Sequence, residues 1–229
     1  MTAALIIPAL NEEQALGRVL EELPAETFAA VIVVDNGSTD GTADVAAAAG
    51  ATVVAEPQRG YGAACLAGIA ALPPEIDVIV FMDADGSDVP GEADLLIEPV
   101  AGDRADLVIG SRELGNAAIG ALSPHQRLGN RFAVFLVSVF FGHAYSDIGP
   151  FRAIRRLSLD RLEMRDTNFG WTMEMQIKAI QRGLRIAEIP VTYRKRTAGQ
   201  SKISGNLWGS IAAGGKILWT VAKYAVGRS

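Results

Sequence analysis

The first half of the chain alternates short apolar runs with helix-like segments. Four apolar runs predict strands, at residues 3–8, 30–34, 51–55 and 78–82. The last run is apolar throughout, which predicts a strand in the centre of a sheet. Leu16, Val19 and Leu20 follow the first run at helical spacing, and alanine-rich or small-residue segments follow the second and third runs. The order is therefore strand, loop and helix, repeated.

The second half is less regular. Three further apolar runs predict strands, at residues 107–109, 151–154 and 186–193. Two further segments predict helices, at residues 128–141 and 173–182. Pro190 favours a sheet edge or an extended segment for the last of these strands. Residues 206–226 predict a final amphipathic helix, with Lys216 and Lys223 opposite its apolar face.

Strands that alternate with helices imply right-handed crossovers and a mainly parallel sheet with helices on both faces. We therefore predict an α/β fold, with one domain over residues 1–202 and an amphipathic helical tail over residues 203–229. The tail would pack on the domain, at an interface or on a membrane. Ligands bind such sheets at the carboxyl ends of the strands, where the loops after the first, second and fourth strands emerge.

Composition narrows the class of protein. Apolar residues make up 49% and charged residues 21%, which suits a globular core and argues against disorder. A net charge of -5 gives no electrostatic footprint for nucleic acid, so we expect no nucleic-acid partner. The single Cys65 cannot form an intramolecular disulfide, and the first residues lack a basic leader, so a cytoplasmic location is expected. The apolar stretches are shorter than the roughly 18 to 20 residues that cross a bilayer.

Two carboxylates, Asp83 and Asp85, follow the fourth predicted strand. Carboxylates this close repel each other unless a cation lies between them. Mg²⁺ or Mn²⁺ takes oxygen ligands from one or two carboxylates and the rest from phosphates and water, which a nucleotide diphosphate supplies. The same residues suit an ordinary turn, with Gly86 as its glycine, so spacing alone leaves both interpretations open.

The loop at residues 35–40 follows the second predicted strand and is rich in Gly, Ser, Thr and Asp. Its backbone amides and short polar side chains suit contact with a base or ribose, and they equally suit a simple helix N-cap. Gly60 and Gly62 would allow the backbone to approach a ligand closely, although their position does not fit the dinucleotide-binding pattern.

Cationic residues form a second set, Arg112, Arg127, Arg131, Arg194, Lys195, Arg196 and Lys202. Arg127 and Arg131 are one helical turn apart, so both side chains could hold one phosphate. A solvated surface is the alternative, which we favour for Lys195. Glu174 is either a general base for a hydroxyl acceptor or a structural helix residue.

Six motifs follow one another along nearly the whole chain. They are Pro8-x-x-Asn11-Glu12, Val34-Asp35-Asn36-Gly37-Ser38-Thr39-Asp40-Gly41-Thr42, Gly60-x-Gly62, Asp83-x-Asp85, Gly110-Ser111-Arg112 and Arg196-x-x-Gly199-x-Ser201-Lys202. The series resembles the family 2 glycosyltransferases of the GT-A fold. The last motif is the most discriminating, because it is similar to that of the dolichyl- or polyprenyl-phosphate hexosyltransferases, which include mannosyl and glucosyl members.

The resemblance implies an inverting hexose transfer from a UDP-glucose- or GDP-mannose-type donor to a polyprenyl or dolichyl phosphate. It implies Mg²⁺ or Mn²⁺ as the cofactor, held by Asp83 and Asp85. The residues it assigns to the nucleotide sugar are Pro8, Asn11, Glu12, Asp35, Gly37, Ser38, Gly60, Asp83, Ala84 and Asp85. Those it assigns to the acceptor phosphate are Arg127, Arg131, Arg196, Ser201 and Lys202, and the catalytic set is Asp85, Arg112, Arg196 and Lys202. A phosphate acceptor needs no general base, which would leave Glu174 without a catalytic role.

The sequence departs from the family pattern at two places. Asn36 stands where many members carry a second Asp, which opens the nucleoside contact and the choice of base. Gly86, Ser87 and Asp88 follow Asp85 where mannosyl members often carry Gln or His, which favours a UDP-glucose-type donor.

A polyprenyl-phosphate acceptor lies in a bilayer, so the enzyme would have to reach the membrane surface. Apolar residues suited to that contact are Phe132, Phe135, Val139, Phe140 and Phe141 on one predicted helix, and Leu207, Trp208, Ile211, Leu218 and Trp219 on the last. These faces suit peripheral attachment to the inner face of the plasma membrane, and equally a core or an oligomer interface, so the oligomeric state stays open. Two other functions also remain, namely transfer to a soluble hydroxyl acceptor with Glu174 as base, and nucleotide-sugar binding without turnover.

Overall fold

The computed structural model describes residues 1–196 and 207–226, with side chains from residue 214 onward in the second range. Within these residues a seven-stranded sheet is flanked by helices. The strands are β1 (Ala3–Ala9), β2 (Ala30–Asp35), β3 (Thr52–Ala55), β4 (Val78–Phe81), β5 (Leu107–Ala117), β6 (Arg152–Arg155) and β7 (Ile186–Tyr193). The helices are α1 (Glu13–Glu21), α2 (Thr42–Ala48), α3 (Tyr61–Ala70), α4 (Ala93–Ala101), α5 (Pro124–Phe141), α6 (Arg156–Leu162), α7 (Trp171–Gln181) and α8 (Leu207–Val226), with a 3₁₀ turn at Pro90–Glu92.

The sheet order is β3-β2-β1-β4-β6-β5-β7. Only β6 among these strands runs antiparallel to its neighbours, β4 and β5. The carboxyl ends of the other six therefore lie at one edge of the sheet, which confirms the prediction of a mainly parallel α/β sheet. β7 is an edge strand, and it contains Pro190 as predicted.

Strand β4 is buried along its whole length, which confirms its predicted central position. Its side chains alternate between two hydrophobic cores, one on each face of the sheet. Ile79 and Phe81 join the core that contains Trp171, whose ring lies 4.7 Å from that of Phe81 between centroids. Val80 joins the other core, beneath α4. A strand packed on both faces holds the loop that follows it in a fixed place.

Two elements extend beyond the predicted bounds. β5 continues past Ile109 to Ala117, because it pairs with β7 on both sides of an irregularity between Ser111 and Asn116. Gly110-Ser111-Arg112 is therefore part of the strand, whereas the predicted strand ended at Ile109. α5 begins at Pro124 rather than at residue 128, because Ser123 and Gln126 form a capping box and proline suits the first helical position.

Two helices, α4 and α6, were not predicted. α4 contains Pro99, which in a sequence usually indicates the end of a helix, and it packs through Leu96 and Val100 on the core that contains Val80. α6 is only seven residues long, too short for a periodic signal.

The C-terminal helix α8 packs on α5 and α7. Val221 is buried, the Tyr224 hydroxyl donates to Glu174 Oε1 at 2.6 Å, and Lys216 Nζ lies 2.9 Å from Asp166 Oδ2. The boundary predicted at residue 202 lies outside the described residues. No helix in the described part of the chain combines the length and apolar character that spanning a bilayer requires.

Candidate active site

A cleft of about 520 Å³ opens at the carboxyl ends of the parallel strands. Eight of the predicted site residues line it, Pro8, Glu12, Gly60, Asp83, Ala84, Asp85, Arg112 and Arg196. They come from the ends of β1, β4 and β7, from β5 and from the loop before α3. The fold thus brings the carboxylates of Glu12, Asp83 and Asp85 into one cleft with the cations Arg112 and Arg196, which are far from them in sequence.

The loop after β4 folds its carboxylates together. Gly86 has φ +75°, the left-handed conformation that glycine adopts at low cost, and Ser87 N–H donates to Asp85 Oδ1 at 2.8 Å. Asp83 N–H donates to Asp88 Oδ2 at 3.3 Å. Burial, with the nearby Asp85 charge, raises the pKa of Asp83 to about 7, while burial and Asp83 raise the pKa of Asp88 well above its ordinary value. The charged forms of Asp83 and Asp88 are therefore unfavourable beside Asp85 unless positive charge is added to the loop.

This donor set fits a hard divalent cation that also binds a donor diphosphate. Within residues 1–196 and 207–226 no group of three or more His, Cys, Asp and Glu side chains is arranged to enclose a metal by itself. Asp83 and Asp85 would supply carboxylate oxygens, and phosphate oxygens and water would complete the shell, as Mg²⁺ commonly requires.

Arg196 already supplies a positive charge at this place. Its Nη1 lies 2.7 and 2.8 Å from the two carboxylate oxygens of Glu12, and its Nη2 lies 3.0 Å from Asp85 Oδ2. Arg196 comes three positions after the end of β7, so the edge strand places it beside the loops that contain Glu12 and Asp85.

Arg112 is held rigidly by Asp147, a residue that the sequence did not single out. Asp147 is fully buried, and its Oδ2 accepts from the Arg112 backbone N–H and Nε at 2.8 Å each, while Oδ1 accepts from Nη2 at 2.7 Å. Asp147 occupies the Nε and Nη2 donors of the guanidinium, so the Nη1 donor is the one left for a ligand. Arg112 therefore enters the cleft as a fixed cation.

Asn36 lines the cleft and ties its nucleotide-side loops together. Its amide nitrogen donates to the carbonyls of Glu56 and Gln58 at 3.0 and 2.7 Å, and its amide oxygen accepts from Gly60 N–H at 2.8 Å. An ionised Asp could not donate the first two bonds, so the departure from the family pattern has a structural cause.

Four predicted nucleotide-binding residues, Asn11, Asp35, Gly37 and Ser38, do not line the cleft. They build its supporting loops instead. Asp35 Oδ1 accepts from Ser38 N–H at 2.9 Å, and Ser38 Oγ accepts from Asn11 N–H at 2.9 Å. Asn11 has φ 52°, a left-handed conformation that Asn tolerates. Gly37 has φ +76° and packs against the side chain of Arg59, which does line the cleft.

Gly60 and Gly62 both lie against protein backbone, and their predicted close approach to a ligand stays a prediction. A Cβ at Gly60 would be 2.1 Å from the Thr167 carbonyl oxygen, and one at Gly62 would be 2.0 Å from the Asp166 carbonyl oxygen. Both glycines let the start of α3 pack against residues 166–168. Gly60 nevertheless lines the cleft, with φ +146°.

A second, mostly apolar cavity of about 230 Å³ adjoins the cleft between α5 and α8 and shares Arg112 with it. Arg127, Leu122, Phe132 and Leu218 are among its lining residues. Arg131 is exposed on α5 and lines neither cavity, so this arrangement does not support a shared grip of Arg127 and Arg131 on one phosphate. Ser201 and Lys202 lie outside the described residues.

Glu174 does not line the cleft and has a structural role. Its carboxylate accepts from the backbone N–H groups of Arg165 and Asp166, from Tyr224 Oη, and from Lys178 Nζ at 2.8 Å. Burial raises the pKa of Glu174, but the bonds from Lys178 and Tyr224 outweigh it and leave the pKa below its ordinary value. The structure therefore contradicts the interpretation of Glu174 as a general base.

The sequence did not predict several residues that line the cleft, namely Arg59, Tyr61, Asn168, Phe169 and Thr172. Asn168 and Phe169 belong to the loop that packs on Gly60 and Gly62, and the sequence shows no spacing pattern that links these segments. Arg59 directly precedes Gly60 in the sequence, and that position was the available signal.

Comparison with known proteins places this cleft in context. Residues 4–163 match the family described as Glycosyl transferase family 2. An uncharacterized glycosyltransferase of Mycobacterium tuberculosis is 39% identical over 217 residues, which cover 91% of this chain and 93% of that protein. An undecaprenyl-phosphate mannosyltransferase of Micrococcus luteus is 33% identical over 226 residues, which cover 91% of this chain and 90% of that protein.

Solved structures show the same fold. Glucosyl-3-phosphoglycerate synthase from Mycobacterium tuberculosis, solved with Mn²⁺, UDP and glucosyl-3-phosphoglycerate, superposes with a TM-score of 0.79 at 23% identity. The superposition covers 98% of this chain and 80% of that one. The predicted GT-A fold is confirmed.

Proposed function

The chain belongs to glycosyl transferase family 2, and we propose that it transfers a hexose from a nucleotide sugar to a polyprenyl phosphate, with a divalent metal and inversion at the anomeric carbon. The observation that carries the proposal is the cleft in which Asp83 and Asp85 face the cations Arg112 and Arg196. Family membership supports glycosyl transfer, and the name of the Micrococcus luteus relative supports the acceptor class.

Each group has a separate task in this proposal. Asp83 and Asp85 would hold Mg²⁺ or Mn²⁺, which supplies charge that neutralises the leaving diphosphate. Glu12, Asn36 and the loops they support shape the nucleoside side of the cleft. Arg112, fixed by Asp147, orients a phosphate without the entropy cost of ordering a free side chain.

The acceptor side is supported by the apolar cavity between α5 and α8. It would receive the first part of a prenyl chain, while Arg112 and Arg127 at its wall would meet the acceptor phosphate. A phosphate oxygen is already a nucleophile, so the absence of Glu174 from the cleft does not impede this reaction. A hydroxyl acceptor would need a base, and Glu174 is committed to structural bonds.

The assay that tests the proposal combines two donors with matched acceptors. UDP-glucose and GDP-mannose are each incubated with Mn²⁺ and the protein, together with a short-chain polyprenyl phosphate, the corresponding free polyprenol, or a soluble phosphorylated hydroxyl acceptor. We expect a hexosyl phospholipid only with the polyprenyl phosphate. Transfer to a hydroxyl alone, or tight donor binding without any product, would contradict it. Both donors are needed because the loop after Asp85 favours UDP-glucose, whereas the name of the relative favours a mannosyl donor.

We propose further that the enzyme reaches its acceptor by peripheral contact with the membrane. α5 exposes an apolar stripe at intervals of three or four residues, Leu128, Phe132, Phe135 and Val139, and the neighbouring α8 exposes Trp219. Arg127 and Arg131 on the same helix would meet anionic headgroups.

Flotation with vesicles of anionic phospholipid tests this contact. We expect the protein to float with the vesicles and a Phe132→Ser/Phe135→Ser variant to stay behind. Leu95→Ser is the matched control, since Leu95 is exposed on α4 at the other face of the sheet. Failure of the native protein to float, or dimerisation that depends on Phe132 and Phe135 in sedimentation, would assign the stripe to another role.

A further inference from the structure

One guanidinium, that of Arg196, spans two acidic loops at the mouth of the donor cleft. It lies within 2.8 Å of both Glu12 carboxylate oxygens and 3.0 Å from Asp85 Oδ2. Glu12 and Asp85 are only 7% and 8% exposed, so neither is well solvated, and each depends on a nearby positive charge. The planar, multi-donor guanidinium suits this double contact better than a lysine ammonium would.

The chain just before Arg196 is anchored independently of that contact. Arg194 N–H donates to the Ser87 carbonyl at 2.7 Å, and Tyr193 forms an antiparallel bridge with Asp88. The Arg194 side chain pairs with Glu22 at 2.7 Å. Arg196 can therefore leave Asp85 by a movement of its own side chain, while residues 193 and 194 stay fastened to the acidic loop.

We infer that Arg196 is an internal counter-ion for Asp85 and Glu12, and that a divalent cation replaces it at Asp85 only when a nucleotide diphosphate gives Arg196 another anionic partner. The inference rests on the proposed function, in which Asp85 holds the metal. It makes tight metal binding conditional on the donor nucleotide.

Charge balance gives the reason. A metal held by Asp85 would lie close to the Arg196 guanidinium, which pairs with the same carboxylate, and the two positive charges would repel each other. Without nucleotide, the metal must either bind against this repulsion or force Arg196 out without a new partner. A diphosphate provides charge-assisted hydrogen bonds for the displaced guanidinium, so the exchange becomes favourable.

The test is a titration of Mn²⁺ into the protein by calorimetry, first without nucleotide and then with saturating UDP or GDP. In the native protein we expect the nucleotide to tighten Mn²⁺ binding by about tenfold or more, within the usual range of coupling between sites. In Arg196→Gln we expect nucleotide-free Mn²⁺ binding about tenfold tighter than in the native protein, and a smaller effect of nucleotide.

Arg194→Gln is the matched control. It also removes one arginine charge, two residues earlier in the chain, but the Arg194 side chain pairs with Glu22 and not with Asp85. We expect its Mn²⁺ affinity to equal that of the native protein. An equal gain in both variants would reduce the effect to overall charge and overturn the inference. Arg196→Lys, which keeps the charge but not the fork, gives a second reading if the glutamine variant is unfolded by circular dichroism, and it should also show weaker coupling.

The outcomes separate the two proposals. If the native protein binds Mn²⁺ with nucleotide but Arg196→Gln gains no nucleotide-free affinity, the counter-ion inference fails and the proposed function stands. If the native protein binds no Mn²⁺ even with either nucleotide, the metal-dependent function fails, and the inference fails with it.

Discussion

Replacing Asp147 by Asn tests how strongly the cleft depends on the buried support of Arg112. Asp147 is fully buried, and Arg112 is 13% exposed, so the substitution leaves a nearly buried guanidinium without its counter-charge. Breaking a buried ion pair by neutralising one partner costs about 3–5 kcal/mol. For a chain of 229 residues, about 2–4 °C per kcal/mol corresponds to a fall in melting temperature of roughly 6–20 °C.

The assay is thermal and denaturant unfolding of Asp147→Asn beside a matched exposed pair. Glu98→Gln makes the same change in the pair with Arg104, whose side chains are 64% and 59% exposed, and should cost at most about 1 kcal/mol. We expect Asp147→Asn also to lower transfer activity at a temperature where it is folded, since Arg112 loses its fixed orientation. If both variants lose the same small stability, the reasoning about Arg112 and Asp147 is wrong.

Three further predictions concern other parts of the site. Because the folded-state pKa of Asp83 is raised from 3.8 to about 7, its contribution to stability is present below about pH 4 and is lost as pH rises through about 7. Thermal unfolding in EDTA from pH 4 to 8 should show that fall. Asp83→Asn should make the fall smaller and leave the part that comes from the raised pKa of Asp88, and an unchanged fall would contradict the assignment to Asp83. Glu174→Gln should lower the melting temperature, because it weakens the bond to Tyr224, yet keep kcat within about threefold, and a loss of kcat in the folded variant would restore Glu174 as a base. Gly60→Ala should destabilise the protein by more than about 1 kcal/mol in chemical unfolding, since its Cβ would clash with the Thr167 carbonyl, and unchanged stability would refute the close packing seen there.

Much of the fold was predictable because short stretches of sequence, each an apolar run followed by a polar loop, indicate most of its strands. The apolar runs that became β1, β2 and β4 carry β-branched residues and end in polar loops, and each was predicted within about two residues. β5 was predicted too short because its second half is held by pairing with β7, which is about 80 residues away in sequence. Pairing at that range leaves no periodic signal.

The site was predictable where residue type fixes the chemistry. Asp83, Asp85, Glu12, Arg112 and Arg196 all line one cleft, as the motif series implied. The sequence did not predict which side chains hold the ligand-binding residues in place, because those contacts depend on packing between segments that are far apart in the chain. Asp147, for instance, meets Arg112 across 35 residues of sequence.

Glycine and asparagine roles illustrate the same limit. A glycine required for backbone packing and one required for ligand approach look identical in sequence, and only the proximity of Gly62 to the Asp166 carbonyl distinguishes them. Asn36 appeared to be a loss relative to the family pattern, yet its amide makes three bonds that hold the nucleotide-side loops.

The central claim, that the carboxylates after β4 hold a metal on a donor diphosphate, is tested most directly by Asp85→Asn. Transfer activity and Mn²⁺-dependent binding of the nucleotide sugar are measured on the same preparation, with circular dichroism to confirm folding. We predict that both fall together, transfer by roughly 10³-fold or more, because removing an electrostatic partner of the transition state costs at least that order of rate. Near-normal transfer, or donor binding that still responds to Mn²⁺ as in the native protein, would contradict the account.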